Sequence, residues 1–509
     1  GPCVGDTTVQ LPRERLLFKT AKGEVVEGQC WIQIFLHPKT IRILEKHLPR
    51  WENRISSGFL KIVRERKSRQ KGATPDMDLR ERCSKLYLAS TPLQRLWYLP
   101  HLGYKLQLPE ILFIPLFLSA LGNIRRIFHR SAWNVLDLFV LLWPVATLLP
   151  SLQSRLNLQN IIDAAGAVYL VLLYFSVRLA MSERMRASLH EIIVLTSTLA
   201  ALMGIVGWSL YTLLGIVTPL VIVRPYPYFG KMAQACAFTA TPNMLASFLM
   251  MGIVFHLSNS LANRERPPRF WKVTFIILSL GFILTFSKTL LCLIPGVWIV
   301  LHLNSGNHGF GNQILKSRAV ALFVITASFF VYALGTHFVI TSTDPEKVGA
   351  LVKESYISDQ PLCQVTIMQK QYGLYQTNYL HNKRSSILAL KQSRGWGVGA
   401  GNYNAFIGGL QARNMHPRTF PKWDPHSTPF GALAELGVFG FLVVMALWLS
   451  SGILIYRNLQ RKPTATIWSY ALAGLFVAIT MEAFVTDIMN FRHYWCLLAM
   501  TRELTNKGS

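Results

Sequence analysis

The chain is short of charge, and shorter still of negative charge. Of its 509 residues 15% are charged and 51% hydrophobic, where a soluble chain carries about a quarter charged residues. That deficit excludes a string of ordinary soluble domains and makes lipid the expected main solvent. Asp and Glu number 25 against 52 Lys and Arg, a net charge of +27. A nucleic-acid partner would want this charge gathered in a soluble fold with a known module, and none is visible. Basic residues in cytoplasmic loops, held against anionic membrane lipids, account for it instead. The seven cysteines are scattered, with no CxxC pair and no histidine at ligand spacing. They are expected to be unpaired, with no metal and no cofactor. No charged n-region with a short apolar run opens the chain at Gly1, which reads as a processed, truncated or engineered end.

What is present is a series of apolar runs near the roughly 20 residues needed to cross a bilayer. They lie at 107–122, 134–150, 161–180, 189–211, 240–257, 271–286, 287–303, 319–341, 430–456 and 467–486, with a weaker one at 491–501. The expected fold is therefore all-α and polytopic, with about 11–12 transmembrane helices. Basic residues fall in alternate loops: Arg125, Arg126 and Arg130; Arg184 and Arg186; Arg264, Arg266, Arg269 and Lys272; Lys316 and Arg318; Arg457, Arg461 and Lys462. The positive-inside rule puts those loops in the cytoplasm and 151–160, 212–239 and 342–429 outside. Parity then requires something to carry the basic N-terminal region across. Leu86 to Leu102 is the candidate, interrupted by Arg95 and two prolines; if it crosses, the count is twelve.

Four regions follow: 1–83, basic and without assignable chemistry; 84–341, transmembrane helices; 342–429, a large external loop; and 430–502, the last helices. Within 1–83 the alternation at 30–36 reads as a strand and 39–48 has helical spacing. The basic run from Lys61 to Lys71 reads as a solvated tail, or else a helix on the lipid surface.

The external loop is too long for a connector, and loops of this length without evident secondary structure are usually functional. It holds ten Lys or Arg against five Asp or Glu, a balance suited to an anion such as diphosphate. A helical stretch with Arg384 runs past Arg394 into glycines at 395, 397, 399 and 401, followed by Asn402. Such a run lets backbone approach a ligand, with N–H groups free for an oxyanion. Then come Asp424, Pro425 and His426, just before the helix with Glu435, Gly437 and Gly440. A histidine at an external helix mouth is placed to take a proton from a hydroxyl near neutral pH. The plainer alternative is an interfacial histidine bonded to backbone.

In their order, Arg384, the glycine run with Asn402, then His426 and Glu435-x-Gly437-x-x-Gly440 resemble the O-antigen ligase and polymerase family of bacterial membrane glycosyltransferases. Pro242-Asn243 and Ser287-Lys288 look like two further motifs of that family, in the right order. The likeness covers roughly 86–502. Two departures stand out: Gln234 occupies the place of an arginine, with Lys231 and Arg224 nearby, and Lys288 replaces an arginine after Ser287.

The resemblance implies a metal-independent transfer of a glycan from undecaprenyl diphosphate to an acceptor hydroxyl at the periplasmic face of the bacterial inner membrane. The acceptor would be the lipid A core or a growing glycan. His426 and Arg384 would be catalytic, and Lys231, Arg224, Lys288, Arg394, Gly399, Gly401 and Asn402 would bind substrate. The alternatives are a transporter for an anionic solute and an inactive partner in polysaccharide assembly. Asp137, Asp163, Glu191 and Glu482 sit near span ends rather than in a central relay, which speaks against transport. For the orientation, a cysteine placed at Ser342 or Asn414 is expected to react with a membrane-impermeant thiol reagent in intact cells; labelling only after lysis would reverse it.

Overall fold

A computed structural model describes residues 17–19, 25–27, 79–95, 107–125, 133–153, 157–226, 230–262, 270–304, 317–353, 357–420, 422, 424–461 and 467–505. The chain divides into two units, Gly1–Met77 and Asp78–Ser509. In the first, the described residues are an antiparallel hairpin, β1 (Leu17–Lys19) and β2 (Val25–Glu27). The strand expected at 30–36, the helix at 39–48 and the basic run 61–71 lie outside the described residues. The second unit is mostly helical.

Its order is α1 (Leu79–Ser90), α2 (Leu108–Leu121), α3 (Val135–Gln153), α4 (Leu158–Ala180), α5 (Glu183–Leu214), a hairpin β3 (Val221–Tyr226) and β4 (Gly230–Ala235), α6 (Pro242–Ala262), α7 (Trp271–Ile283), α8 (Leu290–Asn304) and α9 (Arg318–His337). The long loop follows as β5 (Phe338–Ser342), α10 (Pro345–Lys353), β6 (Cys363–Ile367), β7 (Lys370–Gln376), α11 (Asn378–Gln392) and α12 (Tyr403–Ala412). The chain ends with α13 (Thr428–Gly431), a π-helical turn (Ala432–Leu436), α14 (Gly437–Arg461), α15 (Ile467–Ala483) and α16 (Arg492–Thr505).

Among the described residues, six helical stretches are long and apolar enough to cross a membrane: α3, α4, Ser188–Leu214 of α5, α6, α9 and Thr428–Gln460; α2, α7, α8 and α15 are apolar but shorter. Their apolar side chains are not all inside. On α9, Leu322, Phe323 and Phe330 are each more than 60% exposed, which in water would forfeit about 25 cal/mol for every Å² left wet. In hydrocarbon there is no such cost, so length, composition and exposed apolar surface together mark a membrane protein.

Of the expected span Leu86 to Leu102, residues 96–102 lie outside the described residues, and within 86–95 the helix ends at Ser90. Helix α1 occupies 79–90 and packs on α2, α4 and α5, with Tyr87 Oη 2.9 Å from Tyr169 Oη of α4. After it, the Arg95 N–H donates to Phe238 O at 2.8 Å and the Ala240 N–H to Gln94 Oε1 at 3.3 Å. The end of α1 thus lies at the face that carries the β3–β4 connection. Arg95 was the obstacle to a span through this stretch; it stands instead beyond the helix, its guanidinium on Ala240 O.

The long loop also departs from expectation, because it is folded. Strands β5, β7 and β6 form an antiparallel sheet in that order, closed over Val339, Leu351, Ile357 and Tyr375. A second small core joins Ala389 of α11, Tyr403, Ile407 and Leu410 of α12, and Ala434 of the π-turn. The loop is thereby a platform seated on the helices.

At the opposite end, Asp137, fully buried, accepts from Arg178 Nη1 at 2.9 Å, Arg502 Nε at 3.1 Å and Tyr174 Oη at 2.7 Å. Arg178 Nε also donates to Glu503 at 2.9 Å. Removing one partner of such a buried group costs about 3–5 kcal/mol because the opposite charge is left uncompensated. Asp137→Ala is therefore expected to lower the stability of the purified protein by that amount in denaturant or thermal unfolding, whereas a change under about 1 kcal/mol would show the network to be dispensable.

Candidate functional site

The glycine run is a clasp between the loop and two helices. Helix α4 opens with a reciprocal cap: Asn160 N–H donates to Asn157 Oδ1 and Asn157 N–H to Asn160 Oδ1, both at 2.9 Å. Each cap residue reaches onward, Asn157 Nδ2 to Asn402 Oδ1 at 2.7 Å and Asn160 Nδ2 to Ala400 O at 2.5 Å. From the other side, the Val398 and Gly399 N–H groups donate to Ala434 O and Glu435 O of the π-turn, both at 2.9 Å. A π-turn leaves carbonyls unpaired within its helix, and the glycine amides take them. These amides therefore serve the π-turn and are not available to an oxyanion as the sequence had led us to expect.

Glycine is required at these places for space as well as for φ. Gly397 has φ +84° and Gly401 +73°. A Cβ at Gly397 would meet the backbone of Glu435 and Gly437, and one at Gly401 the Asp163 carboxylate.

His426 lies just before α13. Its φ of +47° is left-handed, unusual for a residue with a side chain, and is imposed by Asp424. Asp424 Oδ1 accepts the His426 N–H at 3.0 Å and lies 2.8 Å from its Nδ1. One carboxylate oxygen thus fixes both backbone and ring, and a proton on Nδ1 directed at Asp424 leaves Nε2 as the basic nitrogen. Burial acts to raise the Asp424 carboxyl, but His426 beside it prevails and holds it below its ordinary value.

Tyr379, the second residue of α11, is the hub around His426. The two rings lie 5.1 Å apart, and Lys288 Nζ sits 5.8 Å from the Tyr379 centroid while donating to Gly335 O at 2.6 Å. One turn along α11, Lys383 Nζ is 2.7 Å from His337 Nε2 and 5.5 Å from the centre of the Phe430 ring. His337 Nδ1 is 2.7 Å from Ala333 O; a carbonyl only accepts, so Nδ1 carries the proton and Nε2 accepts from the lysine. Burial lowers Lys383 to about 8. Two weaker motifs meet next door, where Ser287 Oγ donates to Asn243 Oδ1 at 2.9 Å.

Two concavities flank this centre. The first is an apolar groove of about 320 Å³ lined by Phe329, Leu380, Ile387, Phe430 and Phe484, with His337, Lys383 and Arg384 on its wall. The second is a chamber of about 1010 Å³ among α2, α3, α4, the glycine run and the 484–492 turn. Asp424, Pro425 and Ser427 line the chamber and Phe430 the groove, so the segment carrying His426 separates them. In the chamber, burial and then neighbouring Asp424 push Asp487 up to about 6.

Of the sequence-derived candidates, the structure brings Lys288 and His426 each to the Tyr379 ring and puts Arg384 at the groove, where its Nη1 donates to Gln376 Oε1 at 3.4 Å. Gly401 lines the chamber; Gly399 and Asn402 form the clasp. Arg394 is exposed with φ +53° just past the end of α11. Lys231 faces Pro225, and Arg224 faces Met232, across the β3–β4 hairpin, and none of these three lines either concavity. Lys383, Tyr379 and His337 were missed. Lys383 stands beside Arg384 in the chain, and four-residue spacing from Tyr379 was the available signal. Among the described residues no group of His, Cys, Asp or Glu is arranged to hold a metal ion.

No protein-family model matches the chain, and no curated protein matches it. The clasp has its own consequence: Gly401→Ala, strained in φ and driven against Asp163, is expected to cost about 1–3 kcal/mol. An unchanged melting curve of the purified variant would contradict the clasp.

Proposed function

We propose that the chain is a membrane glycosyltransferase that moves a glycan from a polyprenyl diphosphate, undecaprenyl diphosphate in bacteria, to an acceptor hydroxyl, as an O-antigen ligase or a polysaccharide polymerase does. The observation that carries this reading is the position of His426 between an apolar, cation-walled groove and a polar chamber. A lipid diphosphate has an apolar tail and an anionic head, and the groove offers Phe329, Phe430 and Phe484 beside Lys383 and Arg384. An acceptor sugar needs polar surroundings, which the chamber supplies.

On this reading His426 Nε2 takes the proton of the acceptor hydroxyl as that oxygen bonds to the anomeric carbon. The bond from that carbon to the diphosphate oxygen breaks, and its electron pair leaves with the lipid diphosphate. Lys383, Arg384 and Lys288 stabilise that anion as charge develops, and Asp424 orients the imidazole and balances its charge. A single displacement inverts the anomeric centre. On this reading the clasp face and 342–429 are periplasmic, and the membrane is the bacterial inner membrane. The acceptor is the lipid A core or a growing glycan.

If His426 is the base, His426→Asn keeps a hydrogen-bonding side chain but loses the proton acceptor. Transfer by the purified protein is expected to fall by roughly two to four orders of magnitude, with binding of the lipid-linked donor little changed. Near-normal transfer would end the assignment.

A further inference from the structure

The chamber's charge is opposite to that of the chain. Its lining holds Glu110, Asp163, Asp424, Glu435 and Asp487, against Arg492 as the one cation among the described lining residues, in a protein of net charge +27. Arg492 is itself paired with Glu110 and Asp424 with His426, so the negative surplus is carried by Asp163 and Asp487. Between them stand carboxamides, among them Gln94, Gln159, Asn404 and Asn490, and the rings of Trp143 and Tyr169. On the same wall two buried polar groups, Ser427 Oγ and Trp143 Nε1, have no hydrogen-bond partner among the described residues. Unsatisfied buried donors cost about 1–3 kcal/mol each and are tolerated where a ligand supplies the partner.

Carboxylates and carboxamides together accept from and donate to sugar hydroxyls, and aromatic faces cover the C–H faces of a pyranose. Resting on the transfer reading above, we propose that this chamber is the acceptor-sugar subsite and that it selects by charge. It admits neutral and amino sugars and rejects sugars that carry carboxylate or phosphate. An anionic sugar would lose its water facing like charge, and juxtaposed like charges across an interface cost several kcal/mol. The anionic head of the donor is directed to the other concavity, where the lysines stand.

The test uses the full chain purified in nanodiscs and three named probes: chitotriose, its fully de-N-acetylated trimer, and trigalacturonic acid. Binding is read by calorimetry. The neutral and amino trimers are expected to bind, with trigalacturonic acid weaker by at least about tenfold, a gap that narrows as salt is raised. Asp487→Asn, which keeps the oxygen that caps Met489 and meets Thr428, is expected to narrow it several-fold; Asp163→Asn serves equally if that variant misfolds. Trp143→Phe, which keeps a ring but removes Nε1, should weaken all sugars alike. Equal or tighter binding of trigalacturonic acid, binding by the amino trimer alone, or binding by none overturns the proposal. Selective binding without glycan transfer by the wild-type protein would leave the chamber's role standing and remove the transferase reading. Transfer to acidic and neutral acceptors alike would do the reverse.

Discussion

One buried carboxylate, Asp137, sets the frame of the helical unit. It brings Arg178 at the end of α4 and Arg502 in α16 to the start of α3, so two consecutive helices and a third more than three hundred residues on are pinned at one end. In a low-dielectric surrounding each of these groups is costly alone and tolerable only together. The helices then run as rigid rods to the other end, where the same three contribute Trp143, Asp163 and Arg492 to the chamber. Alignment at the chamber is thus inherited from an ion network about two to four helical turns away along the same helices.

The clasp gives the site its precision. The cap of α4 is a local device that satisfies the first amides of a helix, yet its two asparagines also hold Ala400 and Asn402. The π-turn inserts a residue, displacing carbonyls that Val398 and Gly399 take up. Cap, glycine run and π-turn form one joint, held by the asparagine side chains on the α4 side and backbone to backbone on the π-turn side. His426 sits a turn before that joint and, with its φ set by Asp424, has little freedom to wander.

The long hydrophobic runs were legible because helix length and apolar composition are local properties; every one found in the sequence is a helix in the structure. Helix α1 escaped notice because it is short and polar, with Arg80, Glu81, Arg82 and Lys85 among its twelve residues. At about 1.5 Å per residue it spans about 18 Å, less than any window tuned to a full bilayer detects. In the loop, residue types could be read but not their pairing. Ten cations on one segment look alike in sequence, and only the register of α11 puts Lys383 on the face with Tyr379 while Arg384 turns toward Gln376. The acidic chamber was invisible for a different reason: its carboxylates come from α2, α4, the loop, the π-turn and the 484–492 turn, and no window of sequence contains them together.

A lysine at this centre differs physically from an arginine in more than its lack of bidentate geometry. A guanidinium stays charged wherever it is buried, whereas an ammonium can be tuned, and burial brings Lys383 to about 8. Without an anion, Lys383 rests on the neutral Nε2 of His337 and over the Phe430 ring, contacts that hold it in place without cancelling its charge. A diphosphate arriving in the groove would supply the missing negative charge and favour the ammonium, so lysine and ligand each stabilise the charged form of the other. Lys288, held by Gly335 O, faces the same Tyr379 ring. On the transfer reading, cations whose charge is cheapest when the anion is present would hold a leaving group more tightly as its negative charge grows than while it is still esterified.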